Sequence, residues 1–367
     1  MLAASSRAAS LSGALRAPSQ RTYHSLTTLP SRKPVIAQGT PGYSAVSGHR
    51  VTVFGSTGFL GRYLVSKLGK IGTQVTVPYR DEDMKRHLKL MGDLGQIVPL
   101  EWDIRSEQQI AECLRHSDIV YNLVGRDYET KNFSYSAVHA DGAARIARIA
   151  KECGVERLVH VSHLNASPDS TSAFYRAKFE GEERVKEIFP EATIIRPSIM
   201  YGYEDKLLNN MAIWPIYWRL NQSQTQCRPV HVFDVAQALA NLMEMSRIER
   251  TLNLPGPSTL SYEFLLDLVA SVSLRPVSSA PVLPKGLAKW AANLVGKSVW
   301  WPTLSPDEVE RRFIDDAKTP GDWDVVGVTP SEIENHAITY LRRYRSADNF
   351  IRPVTLPPRP TIIEPQL

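Results

Sequence analysis

The segment VTVFGSTGFLG sets Gly55, Gly58 and Gly61 three residues apart, directly behind the β-branched run Val51-Thr52-Val53-Phe54 and at the head of a helical pattern reaching about Lys70. Strand, glycine turn and helix start in that order make a phosphate-binding loop. Gly55 takes the tight turn, Gly58 lets backbone approach a pyrophosphate, and Gly61 lets the helix lie close on the sheet. Ser56, Thr57, Phe59 and Leu60 complete the loop. The helix start offers unbonded N–H groups and a partial positive charge to a phosphate. A second β run ends Val77-Pro78-Tyr79-Arg80-Asp81. A carboxylate there bonds a ribose 2′-hydroxyl, whereas an arginine accommodates a 2′-phosphate. Arg80 therefore predicts NADP(H), with Arg62 as a second contact, and Asp81 stands one position late for the acidic role. Trp102-Asp103 closes a third strand, where the Asp103 carboxylate can accept an adenine amino group. Leu123-Val124-Gly125 ends a fourth and can pass under a ribose.

Such positions do chemistry only if one sheet brings the strand ends together. The pattern after Lys70 predicts strands at 74–77, 97–102, 119–124, 158–161 and 193–195. Helical patterns lie between them at 81–91, 106–115, 134–153 and 174–188. Near-continuous apolar strands alternating with helices argue a parallel sheet covered on both faces. Right-handed crossovers make it an α/β, doubly wound (Rossmann) sheet with ligands outside the carboxyl ends of its strands. The expected organisation is a leader over 1–23, an N-terminal extension over 24–48 and the dinucleotide-binding domain over 49–200. A smaller α+β lobe over 201–345, returning a strand and helix to the core, precedes a Pro-rich extended tail over 346–367.

Composition excludes several classes. The 367 residues are 43% hydrophobic and 22% charged, as in an ordinary globular chain, and no apolar run reaches the ~18–20 residues of a membrane-spanning helix. Cys113, Cys153 and Cys227 stand far apart, so neither disulfides nor a metal ligand set is expected, and any redox chemistry must sit on an organic cofactor. The net charge of +5 is concentrated at the start. No acidic residue precedes Asp81, and MLAASSRAASLSGALRAPSQRTYHS is rich in Arg, Ser and Ala. That composition predicts a mitochondrial transit peptide cut near Tyr23. Its removal takes three arginines and leaves the rest nearly neutral, which argues against a nucleic-acid partner.

From Val51 to Leu268 the stretches GSTGFLG, WDIRS, HVSHLNAS, the helix around Lys178, IIRPSIMYG and RPVHVFDVAQA resemble the atypical or extended short-chain dehydrogenase/reductase superfamily. HVSHLNA, the leader and the C-terminal extension look like the branch of NADPH-binding accessory subunits of mitochondrial respiratory complex I. The resemblance implies a tightly held structural NADPH, other complex I subunits as partners, and a peripheral place on the matrix side of the inner membrane. Active members pair Tyr-x-x-x-Lys on one helix with a serine near the preceding strand end. The lysine holds the ribose and lowers the tyrosine pKa, and the tyrosine protonates the carbonyl. Here Lys178 is the lysine, and four residues earlier stands Phe174, which has no hydroxyl; Tyr175 lies ~100° away around the helix. Ser162 closes the strand, but the usual hydroxyl position falls at His163 or Leu164, and His139 stands where Asn is usual. No catalytic residue is therefore assigned, Phe174, Tyr175 and Ser162 being degenerate positions. Ser162, Lys178, Pro197 and Ile199 are retained as cofactor contacts, the last two because this loop lies against the nicotinamide in relatives. His231 and Asp234 receive no chemical role. An active mitochondrial NADP(H)-dependent reductase or epimerase, and a soluble nucleotide sensor, remain as alternatives.

The C-terminal third is less familiar. STLSYEFLLDLVASVSL, 258–274, predicts a capped, apolar-striped lobe helix. Over 281–304, Lys285, Lys289 and Lys297 alternate with Leu287, Trp290, Leu294, Trp300 and Trp301. A basic, Trp-bearing amphipathic helix lies on a membrane surface or in a partner groove, or else turns its apolar face into the lobe. Five prolines in the last eighteen residues bar helix and sheet interior, so the tail is expected free or laid along another subunit.

Overall fold

Strand β1 (Arg50–Phe54) carries Val51, Val53 and Phe54 essentially without solvent exposure, as a strand covered on both faces must. Its neighbours are β2 (Gln74–Tyr79) and β4 (Ile119–Asn122), with Val51 opposite Val75 on one side and Ile119 on the other. With β3 (Ile97–Glu101), β5 (Arg157–Val161), β6 (Thr193–Pro197) and β7 (Thr251–Leu254) they form one parallel sheet in the order β7-β6-β5-β4-β1-β2-β3. The chain reverses direction across the sheet between β1 and β4, which opens a crevice at their carboxyl ends. The structure, a computed structural model, describes residues 24–28, 34–38, 47–213, 219–245, 248–276, 281–298 and 305–359. The expected leader over 1–23, Trp300 and Trp301 lie outside the described residues.

Helix α1 (Phe59–Ile71) buries Leu60, Leu64, Val65 and Leu68 on one face of the sheet, against Val235 and Leu239 of α6 (Val232–Glu244). On the other face α2 (Glu107–Leu114), α3 (Gly142–Glu152) and α4 (Ala173–Ile188) set Ile110, Ile146 and Val185 on Phe54, Leu158 and Ile194. Each such side chain contributes about 1.5–3 kcal/mol by leaving water. The sheet takes β7 and α6 from beyond residue 230; β7 is a strand that the pattern of residues 251–254 alone does not disclose.

In the lobe, α5 (Leu207–Ile213), α7 (Tyr262–Ser273) and α11 (Ile333–Leu341) close around Tyr201, Leu208, Leu265, Leu268 and Tyr340. The cap of α7 is Ser261, whose Oγ accepts the Phe264 N–H at 3.2 Å. Helices α8 (Lys285–Ser298) and α9 (Pro306–Arg311) share a small separate cluster of Ala288, Ala292 and Val309, and α10 (Trp323–Val326) returns to α6. Alanines, not the larger residues, face inward on α8: Leu287, Trp290 and Leu294 are all more than half exposed. The inward-facing alternative for that stripe is thereby set aside. Among the described residues no helix is long and apolar enough to cross a membrane.

Three expectations change, and the N-terminal extension, for which no structure was expected, contains a paired hairpin. Residues 81–91 form two short 3₁₀ turns, Asp83–Lys85 and Leu88–Met91, rather than a helix. Leu88 is buried there while Met84 and Leu90 face solvent, so no apolar stripe has a surface to cover. The helix expected from 134 begins with a π-helical turn, Ala137–Asp141, where Gly181 lets α4 come so close that an added Cβ would sit 2.2 Å from the His139 carbonyl. The N-terminal extension pairs His24–Thr28 antiparallel with Pro34–Gln38. The tail as far as residue 359 lies on its own lobe: Arg359 bonds Glu334 at 2.7 Å and Glu332 at 3.0 Å, and Val354 packs on the lobe core.

Candidate functional site

Gly55 follows β1 in the left-handed region, φ +82°, which favours glycine, and an added Cβ would sit 2.9 Å from the Leu123 carbonyl. A Cβ on Gly61 would lie 2.3 Å from the Gly55 oxygen, so α1 can rest against the loop only at glycine. Gly58 caps α1 without a side-chain bond, leaving the first N–H groups of the helix to another acceptor. Ser56 and Leu60 serve this loop by backbone alone. The Ser56 hydroxyl is buried and donates to the Pro78 carbonyl at 3.2 Å, and Leu60 faces the core. Thr57 and Phe59 are half-buried beside them.

Arg80 is exposed at the end of β2 and pairs with no carboxylate among the described residues. Arg62 is bonded to Glu204 at 3.0 Å, which also takes the Tyr63 hydroxyl at 2.6 Å. Asp103 is exposed at the end of β3, one carboxylate oxygen accepting the Arg105 N–H at 2.7 Å. Leu123 and Val124 anchor the end of β4 on the two cores, and Gly125 beyond them is exposed. A Cβ at Gly125 would be 3.3 Å from the His139 ring and 3.6 Å from Lys178 Nζ, so the fold does bring loop, helix and lysine together. Pro197 and Ile199 flank the end of β6, but their carbonyls accept Leu164 N–H and Val230 N–H, both at 2.9 Å. Each carbonyl so tied keeps a second lone pair.

On α4, Lys178 is buried and donates to the Val161 carbonyl at 3.2 Å. Burial pushes its pKa down to about 8, against the pull of Asp127 and Glu182. Phe174 lies one turn earlier on the same side, its ring 5.9 Å from that ammonium. Tyr175 points instead toward His163, with ring centroids 4.8 Å apart, and burial raises its hydroxyl to about 12. Leu164 is buried where a hydroxyl was sought. His139 Nε2 lies 2.9 Å from the Arg126 carbonyl, and burial with the Lys178 charge pushes its pKa down to about 3. We assign the neutral tautomer with Nδ1 as acceptor.

Three buried polar atoms gathered here, His139 Nδ1, His160 Nε2 and Ser162 Oγ, find no hydrogen-bond partner in the chain. Leaving such an atom unpaired costs about 1–3 kcal/mol. Orphaned polar atoms beside a cradle that any Cβ would fill fit a dinucleotide. A dinucleotide held there would meet Gly55–Gly61 with its pyrophosphate and Lys178 and Ser162 with its ribose hydroxyls, and Arg80 would be the residue to meet a 2′-phosphate.

The local pattern did not disclose what faces this cradle. Asp307, on α9, accepts Ala173 N–H and the Ser172 hydroxyl, both at 2.8 Å. Arg311 sets its guanidinium over the Phe174 ring at 4.5 Å and donates to the Asp127 carbonyl at 3.0 Å. The Asp316 carboxylate accepts Ser198 Oγ at 2.6 Å, Asn165 Nδ2 at 2.9 Å and Arg228 N–H at 2.8 Å. The string SPDEVERR foretells a capped helix, but these contacts join residues 88 to 184 positions apart and leave no local signal. An open cleft of about 470 Å³ lies outside this seal, between Tyr128, Tyr135, Ala173, Lys289 and Asp307.

Residues 51–254 match the model of the NAD dependent epimerase/dehydratase family. The chain is 43% identical over 333 residues to the NADH-ubiquinone oxidoreductase 40 kDa subunit, mitochondrial, of Neurospora crassa, covering 89% of this chain and 88% of that one. It is 41% identical over 321 residues to NADH dehydrogenase (ubiquinone) 1 alpha subcomplex subunit 9, mitochondrial, of Rattus norvegicus, covering 85% of each. Among solved structures, Citrobacter sp. triphenylmethane reductase complexed with NADP(H) superposes with a TM-score of 0.62 at 14% identity, over 79% of this chain and 99% of that one. That likeness is one of fold.

Proposed function

The chain belongs to the NAD dependent epimerase/dehydratase family, and we propose that it serves there without catalysis, as an NADPH-binding accessory subunit of mitochondrial respiratory complex I. The observation that carries this reading is the pair on α4: Lys178 is kept, buried and aimed at the cradle, while the side chain one turn away is Phe174. A phenyl ring has no proton to give, and losing general-acid assistance costs ~10²–10⁴-fold in rate. NADPH when bound supplies a hydride donor. The residues of this chain hold it at the phosphates, ribose and adenine and pack Arg311 against the ring from which protonation would come.

Similarity to the fungal and rat subunits over more than four-fifths of the chain supports assembly with other complex I subunits, and with it a place on the matrix side of the inner membrane. The absence of a spanning helix among the described residues accords with peripheral attachment near the membrane junction. A structural NADPH stabilises the folded subunit by RT ln(1 + [L]/Kd), ~2.7 kcal/mol at a hundredfold excess over Kd. The role is to support assembly or stability of that arm.

Native mass spectrometry with blue-native electrophoresis tests the proposal. The expected result is NADPH retained by the purified protein, co-migration with a megadalton complex, and no loss of absorbance at 340 nm (the dihydronicotinamide band) with aldehydes, ketones or sugar nucleotides. Steady NADPH consumption would support the reductase alternative, and a free monomer or dimer the sensor.

A further inference from the structure

We infer that residues 305–317 are an internal occupant of the cleft facing the cofactor cradle, and that they join α8 to the nucleotide-facing loops as one cooperative unit. Substrates of open α/β sheets sit outside the strand ends, where loops after successive strands converge. Here one segment of the chain's own lobe bonds three of those loops in turn. Arg311 reaches Asp127 beyond β4, while Asp316 reaches Asn165 beyond β5 and Ser198 beyond β6. Ala317 N–H returns to Asn165 Oδ1 at 2.9 Å, closing a two-way contact with the β5 loop. Asp307 meanwhile takes the N-terminal donors of α4, the helix that carries Lys178.

The far side of the same segment holds α8. Glu310 takes Lys285 at 2.9 Å and Lys289 at 2.5 Å, and Val309 seats Ala288 and Ala292. Helix α8 is therefore linked to the strand-end loops through α9. A perturbation that loosens α9 must loosen both neighbours, and by reciprocity an added contact at the loops must steady α8. The link to the loops lies in the chain's own contacts; its response to nucleotide rests on the NADPH reading above.

Hydrogen exchange with mass spectrometry on the full chain tests the unit in two arms. In the first, without nucleotide, Arg311→Met removes the guanidinium but keeps the stem. Exchange is expected to rise about tenfold, the loss of one charge-assisted bond, in 125–128, 162–166 and 285–298 together, with 51–54 and 119–122 unchanged. Asp316→Asn, nearly isosteric, should move the same three segments if Arg311→Met folds poorly. Loosening confined to 305–317, or loops that loosen while 285–298 does not, would overturn the inference. In the second arm, saturating NADPH should protect 285–298 and 305–317 in the native chain but not in Arg311→Met. Protection that stops at 55–62 and 123–125 would overturn the coupling. No protection even at 55–62 would count against the NADPH reading, and the first arm would then decide the inference by itself.

Discussion

If Lys178 holds the nucleotide as proposed, affinity should depend on pH. Burial lowers its pKa from the ordinary 10.5 to about 8 in the folded chain, although Asp127 and Glu182 pull the other way. The ammonium is the form that donates to ribose hydroxyls and favours the phosphates. If only that form binds well, the apparent Kd scales inversely with the fraction protonated, so Kd should rise about tenfold between pH 7 and pH 9, or ~1.4 kcal/mol. His139 and His160 are pushed down to about 3 and stay neutral throughout, so neither adds to the slope. The sign for stability is opposite. A lysine with a depressed folded pKa sheds its proton before the unfolded chain does, so the unliganded fold gains stability from about pH 8 to about 10.5 while affinity falls. NADPH fluorescence titrations at pH 7, 8 and 9, at constant ionic strength, measure the effect; the 2′-phosphate titrates near pH 6 and is fully charged in this window. Lys178→Met should bind more weakly at pH 7 and lose the dependence. A flat native profile, or a slope that survives in Lys178→Met, would refute the assigned role.

Three further perturbations separate cradle, selectivity and chemistry. Gly61→Ala puts a Cβ 2.3 Å from the Gly55 oxygen, a backbone contact that cannot turn aside, and should cost about 1–3 kcal/mol in thermal or urea unfolding; an unchanged melting temperature would show that the loop relaxes. Arg80→Asp should weaken NADPH binding ~10–100-fold, the loss of a charged contact, and raise the NADH-to-NADPH affinity ratio; an unaltered ratio removes Arg80 from the 2′-phosphate. Phe174→Tyr keeps the ring and adds a hydroxyl, yet should give no turnover with carbonyl substrates, because Arg311 covers that ring and Leu164 supplies no second hydroxyl; appearance of turnover would place the block at the missing acid alone.

What could be read in advance was local in sequence. Gly55, Gly58 and Gly61 announce their roles because each is required by backbone geometry within seven residues. The buried strands declare themselves by continuous apolar runs. Phe174 and Lys178 share a face because four residues is about one turn. Legibility stopped where a residue's role depends on a distant partner. Nothing near Arg62 in the sequence points to its bond with Glu204, nor anything near Pro197 to the Leu164 N–H that its carbonyl accepts. The helical pattern at 81–91 fails because amphipathicity needs a second surface, which Leu88 and Met91 find while Met84 and Leu90 do not. The seal by Arg311 and Asp316 is the extreme case, since the charges on 307–316 look like any solvated helix face until the lobe folds back.

That seal bears on whether the cradle could turn over. Admitting a substrate from the strand-end side would require releasing Arg311 from Asp127, and Asp316 from Asn165 and Ser198, in every cycle. Bonds to charged groups contribute about 1.5–3 kcal/mol each, so the opened form costs about 5–9 kcal/mol if the three add. At 1.4 kcal/mol per decade it would be populated roughly once in 10⁴ to 10⁶ molecules. This factor multiplies the 10²–10⁴ lost with the acid. The orphaned His139, His160 and Ser162 atoms act in the other sense: they penalise the fold without a ligand and favour one that stays. A site that is costly to leave empty and costly to open suits a nucleotide bound once, during folding, better than one exchanged at each turnover.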